Sequence, residues 1–98
     1  MAVEYTPRAR ADLADIWGFT ADRWGEAQAD RYVRDIDATA RAVAAGAAQT
    51  RDLSEARPGY RRAASGSHFL IVRGGDDGAL IVVRVLHRRM DIDRHLDP

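Results

Sequence analysis

The 98-residue sequence has no cysteine, only three prolines, and 7% aromatic residues. It also has no lysine, so all fifteen of its cations are arginine. Without cysteine there is neither a disulfide framework nor a thiolate metal site, and nothing calls for an oxidising compartment. An all-arginine surface offers planar forks suited to bidentate recognition of carboxylate or phosphate, although a GC-rich coding bias explains the same usage. No stretch approaches the ~20 apolar residues of a membrane span, and Met1 to Tyr5 lacks the basic segment and apolar run of a secretory signal. The expectation is a cytoplasmic protein with no membrane partner. The formal net charge of +0 argues against sequence-independent nucleic-acid binding, which depends on a basic excess.

What is present is alanine. Eighteen alanines stand against six Leu, five Ile and seven Val, so the core is thin. A chain this short buries only about 60–65% of its unfolded surface, which predicts one domain over 1–98. Its stability is a small residue of large opposing terms, so a bound partner adds much to it. Charge is unevenly placed: residues 1–50 hold six Arg against eight Asp or Glu, and residues 51–98 hold nine against seven.

Ala2 to Tyr5 reads as a short strand. Thr6-Pro7 follows as a helix cap and first helical residue. Leu13, Ile16, Trp17, Thr20 and Trp24 fall at helical spacing, predicting an amphipathic helix that ends near Gly25 with both tryptophans in the core. A second helix from Glu26 or Ala27 carries the stripe Tyr32, Val33, Ile36, Ala40 and Val43, and Gly46 suits its end. The short link at Gly25 makes the pair an antiparallel hairpin, and small alanines permit close packing. Residues 47–59 show no period and read as a connection. Three strands follow, Tyr60–Ala64, His68–Arg73 and Ala79 to about His87, separated by turn residues. The last is apolar on both faces until Arg84, as expected of a strand in mid-sheet, so it should be central. Asp91 to Leu96 is compatible with a helical turn or an extended tail. The fold class is α+β: an N-terminal strand, an antiparallel helical hairpin, then a three-stranded antiparallel meander.

Arg84 interrupts a greasy strand and needs solvent, a partner or an acid of the chain. Alternation puts Arg84, Leu86 and Arg88 on one face and Val85, His87 and Arg89 on the other, while Arg61 and Arg62 also face opposite ways. One of the latter two is placed to join a cationic surface with Arg84 or Arg88. His87 and His68 are the general acid/base candidates by residue type, with packing the ordinary role of a strand histidine. His95 is expected to be solvated. Asp76/Asp77 and Asp91/Asp93 lack supporting histidines, so no metal is expected. Ser65 and Ser67 lie in a turn without an elbow motif. Gly74-Gly75-Asp76-Asp77-Gly78 joins two strands and opens no helix, so it is not a phosphate loop. No cofactor is expected.

In order and spacing, several segments resemble the ParE branch of the RelE/ParE superfamily of type II toxin-antitoxin toxins: Tyr5-Thr6-Pro7 with Ala9, Asp12-Leu13-Ala14-Asp15-Ile16-Trp17, Arg57-Pro58-Gly59-Tyr60-Arg61-Arg62, His68 to Arg73, and Arg84-Val85-Leu86-His87-Arg88-Arg89-Met90-Asp91. The resemblance spans almost the whole chain. It implies a growth-inhibiting toxin that poisons DNA gyrase without being an enzyme. It further implies neutralisation by a ParD-like antitoxin, in a heterotetramer or larger complex that meets operator DNA only through the antitoxin. Arg61, Arg62, Arg84, Arg88, Arg89 and Met90 are then the residues expected to contact target or antitoxin. RelE-like relatives instead cut mRNA on the ribosome, and for that activity the catalytic candidates are Arg61, Arg84 and His87. The missing lysines and the absence of a tight basic cluster favour the ParE side. A non-toxic antitoxin-binding domain is the third alternative.

Overall fold

The computed structural model describes residues 2–96; Met1, Asp97 and Pro98, which belong to the expected domain over 1–98 and its tail, lie outside the described residues. Eight elements follow in order: β1 (Val3–Tyr5), α1 (Pro7–Trp24), α2 (Glu26–Ala44), β2 (Arg51–Asp52), β3 (Arg61–Ser65), β4 (His68–Gly74), β5 (Leu80–His87) and α3 (Ile92–His95).

The start of α1 is fixed by its cap. Thr6 is extended, and its Oγ1 accepts the Ala9 N–H at 3.1 Å, satisfying one of the donors that a helix start leaves orphaned. The same hydroxyl donates to the Val83 carbonyl at 2.7 Å, tying the helix start to β5. The helices are joined by Gly25 alone, at φ 93, a conformation that costs a side-chain-bearing residue steric strain. Ala9, Ala29 and Ala40 are fully buried, and their small size lets the hairpin lie close to its surroundings.

One sheet of order β1-β5-β4-β3-β2 underlies the hairpin. β1 runs parallel to β5 and every other pairing is antiparallel. The predicted meander is therefore β3-β4-β5, but the middle of the sheet is β4; β5, expected to be central, is second from the edge, apolar on both faces because β1 and β4 flank it. The stretch 47–59 is more than a connection. Within it β2 pairs Arg51 with Arg62 and Asp52 with Arg61, too short a strand to carry a period.

β5 contains an irregularity that decides which way its side chains point. Ile71 pairs with Arg84 but Val72 pairs with Val82, so Val83 is an extra residue. Leu80 and Val82 face the hairpin, and after the bulge Val85 does too, joining Ile36, Ala40, Val43, Leu70 and Val72 in the main core. Arg84 and Leu86 face the other way. There a second, smaller core forms from Ile71, Leu86 and Leu96, with Leu53, Tyr60, Phe69 and Ile92 packed on it.

Residues 92–95 form a helical turn, which resolves the two conformations compatible with the sequence. His95 is half-buried, not solvated as expected, because this turn is pinned to the sheet. No described helix is long and apolar enough to cross a membrane.

Candidate functional site

The residues singled out by sequence divide between the two faces of the sheet. Arg61 pairs with Val72 and therefore shares the hairpin side; its guanidinium lies 3.4 Å from Thr50 Oγ1. His87 is on the hairpin side too, paired with His68. Measured along β4, the positions of Arg61 and His87 differ by four residues, about 13 Å at the rise of a strand. Arg84 faces away from both. The three candidates for nuclease chemistry thus do not converge on one reacting atom.

Arg84 is held inside the molecule. Its Nε and Nη2 reach Asp12 Oδ2 and Oδ1 at 2.8 and 3.0 Å, a bidentate pair, and Nη1 donates to the His95 carbonyl at 3.2 Å. The two side chains are only 11% and 15% exposed. Asp12 Oδ2 also accepts the Val85 N–H at 2.9 Å, in the stretch of β5 that β1 leaves uncovered. The hydrogen bonds to Asp12 raise the Arg84 pKa above its already high ordinary value, so this cation is permanent. Its geometry is that of a latch between α1, β5 and α3.

Arg62 and Arg88 lie on the face away from the hairpin, and both guanidiniums sit over the ring of Phe69, at 4.3 and 5.1 Å from its centroid. Arg51 stands directly across from Arg62. Sequence reasoning missed Phe69 and Arg51, since only cross-strand register brings them to the arginines. Arg88 and Arg89 lie past the end of β5, in a turn closed by Met90 N–H to the His87 carbonyl at 2.9 Å.

At the far end of the hairpin side lies a cleft of about 300 Å³ whose lining includes Ile16, Phe19, Thr20, His68, His87 and Met90. Phe19, Trp24 and Met90 are 62%, 71% and 46% exposed. Trp24 is thus not the core residue its spacing predicts: the stripe continues, but the last turn of α1 has no sheet beneath it. Trp17 is half-buried, with its indole donating to Asp30 at 2.8 Å.

Hydrogen bonds tie both histidines of this cleft to their surroundings. The Tyr32 oxygen accepts the Ser67 N–H at 2.9 Å and lies 2.6 Å from His68 Nδ1, in a hydrogen bond whose direction is that of the His68 tautomer. His87 Nδ1 accepts the Arg89 N–H at 3.1 Å. The two imidazoles share the hairpin face of the sheet. They meet edge to face with centroids 5.3 Å apart. Burial, then the neighbouring His87, lowers the His68 pKa, against an opposing pull from Asp12. Gly66, at φ 57, is required beside this chain because an added Cβ would lie 2.7 Å from the Tyr32 oxygen.

The arrangement is a helical hairpin on a mixed sheet with a stacked-arginine face on one side and an apolar cleft at the end of the other, the build of a small protein-binding domain in the RelE/ParE fold class. Residues 3–92 match the family model described as the ParE toxin of the type II toxin-antitoxin system parDE, and the chain belongs to that family. It is 46% identical over 91 residues, 93% of each chain, to Toxin ParE1 of Mycobacterium tuberculosis. It is 42% identical to Toxin ParE1 of Caulobacter vibrioides, over 91% of each chain. Its fold is shared with a solved structure of the chromosomal ParDE system of P. aeruginosa, with a TM-score of 0.72 at 22% identity, covering 89% of this chain and 95% of that one.

Proposed function

We propose that this toxin arrests growth by inhibiting DNA gyrase as a bound protein, without catalysing a reaction, and that a ParD-like antitoxin neutralises it in a heterotetramer or larger complex. Operator DNA is then met only through the antitoxin, and residues 1–98 act as one unit. Family membership supports the toxin reading. The choice of gyrase over mRNA rests on the dispersal of Arg61, Arg84 and His87. Cleaving RNA through a ribose hydroxyl needs a base, an acid and a phosphate-gripping cation within reach of one phosphodiester. Here the arginine of the trio that interrupts β5 is consumed by Asp12, and the other two are far apart on the opposite face.

Arg88, Arg89 and Met90, exposed in one turn, are the residues proposed to contact target or antitoxin. Expression without antitoxin should arrest growth, and purified toxin should block gyrase supercoiling while cell-free translation proceeds. The Arg88→Ala/Arg89→Ala double variant should raise the concentration needed for half-inhibition of gyrase about tenfold, as loss of an interface anchor does. Inhibited translation with untouched gyrase would reverse the assignment. Antitoxin binding without growth arrest would leave a non-toxic binding domain.

A further inference from the structure

We propose that the apolar cleft beside α1 is a self-association site, where a second copy of this chain packs its own α1 antiparallel about a two-fold axis next to Phe19. The inference is independent of the gyrase target and of the antitoxin.

Three observations meet on α1. The first is uncovered apolar surface gathered in one place. The cleft of about 300 Å³ adjoins another of about 230 Å³ that reaches Trp24 and shares Phe19, Thr20, His68 and His87 with it. Phe19, Trp24 and Met90 are the large hydrophobics left exposed among the described residues, and all three line this pair of clefts. The second is shape. The exposed Phe19 stands beside a hollow lined by Ile16, Thr20 and Met90, so one patch holds both a knob and a hole. A two-fold contact requires that self-complementarity, because each copy gives and receives the same side chain.

The third is charge register. Asp15, Phe19 and Arg23 follow one another at intervals of four along α1 and lie in one row of its surface. The Arg23 guanidinium is held over the Phe19 ring, 5.2 Å from its centroid, and neither Asp15 nor Arg23 forms an ion pair among the described residues. An axis beside Phe19 sets the residue four before it against the residue four after it in the other copy. Asp15 then meets Arg23 of the second copy, and Arg23 meets its Asp15, so unlike charges pair twice. A polyanion would be repelled at Asp15, whereas a formal net charge of +0 leaves no overall repulsion between two copies. Area fixes the strength. A covered aromatic side chain buries about 150–250 Å². With Phe19 62% and Trp24 71% exposed, the four aromatics of a pair supply roughly 400–650 Å². Flanking helix surface brings this to a small interface, below about 1,200 Å², and hence to a weak, reversible dimer. Dissociation on dilution leaves Met90 open to other contacts.

The test is sedimentation equilibrium of the purified full chain, without antitoxin, from about 1 to 300 μM, a range that brackets the affinity of a small interface. A monomer–dimer equilibrium with a Kd on the order of 10 μM is expected. Phe19→Gln should weaken it more than about tenfold, as loss of a central aromatic anchor does. Asp15→Arg and Arg23→Asp should each weaken it about tenfold, because either reversal turns two attractive pairs into repulsive ones. The double variant Asp15→Arg/Arg23→Asp should regain the wild-type Kd, and an equimolar mixture of the two single variants should form a heterodimer. All three positions are exposed on α1, so circular dichroism should show the fold retained in every variant. A chain that stays monomeric across the range, indifference to Phe19→Gln, or a double variant no better than the single ones overturns the proposal. Growth beyond the dimer overturns it too, since a closed two-fold contact stops at two copies. Gyrase inhibition by the same preparations keeps the two readings apart: an inhibitory toxin that never dimerises sinks this one alone, and a dimer that leaves gyrase untouched sinks only the gyrase target.

Discussion

His68 is the residue whose ionisation the fold opposes. Its Nδ1 is occupied by the Tyr32 hydroxyl, its ring is half-buried, and a second imidazole lies against it. Burial and then the second imidazole disfavour a positive charge, Asp12 opposes them without prevailing, and the pKa falls below the ordinary value of 6.5. Between that lowered pKa and 6.5 the unfolded chain binds more protons than the folded one, so stability increases with pH across the window. The contribution is complete above pH 6.5 and disappears as pH falls through the folded-state pKa. Urea midpoints should therefore decline on acidification from pH 7.5 to 5, and His68→Gln should flatten that part of the profile. An unchanged slope in the variant would mean that another group carries the acid sensitivity. Asp37 acts lower on the scale: burial pushes its pKa up, but hydrogen bonds from Tyr5 and Arg41 prevail and hold it below the usual carboxylate range.

The elements show where reading a sequence succeeds. Both helices are legible because their stripes, the Thr6 cap, and Gly25 and Gly46 agree with one another, and local signals in agreement specify an element strongly. The meander is legible for the same reason: Ser65-Gly66-Ser67 and the glycine-rich loop after Arg73 bound apolar runs of strand length. What could not be read is what depends on distant partners. The Val83 bulge exists because β5 must serve β1, β4 and α1 together. The acid that claims Arg84 lies 72 residues away in sequence. Phe69 meets Arg62 and Arg88 only through register. Trp24 fails for a related reason, since periodicity reports a stripe but not how far the surface beneath it extends. Two substitutions in the hairpin separate stripe from core. Ile36→Ala, at a fully buried position, should cost about 3 kcal/mol. Trp24→Ala should cost under about 0.5 kcal/mol. Comparable losses in urea unfolding would mean that the end of α1 is packed after all.

At the scale of the whole molecule, the sheet has apolar side chains on both faces and only one helical hairpin to cover them. The second face is closed by its own C-terminal segment. Leu96 is 7% exposed against Ile71 and Leu86, its carbonyl accepts from Arg57 Nη1 at 2.6 Å, and the preceding carbonyl accepts from Arg84. Arg84 thus joins three parts of the fold and secures the last turn. A domain this small has a total stability of roughly 5–15 kcal/mol, and one well-buried leucine on its thinner side is a sizeable share. Leu96→Ala should cost about 2–3 kcal/mol, lowering the melting temperature by roughly 10 °C or more at this chain length. A melting temperature equal to that of the wild type would show that the second core does not depend on its C-terminal cover.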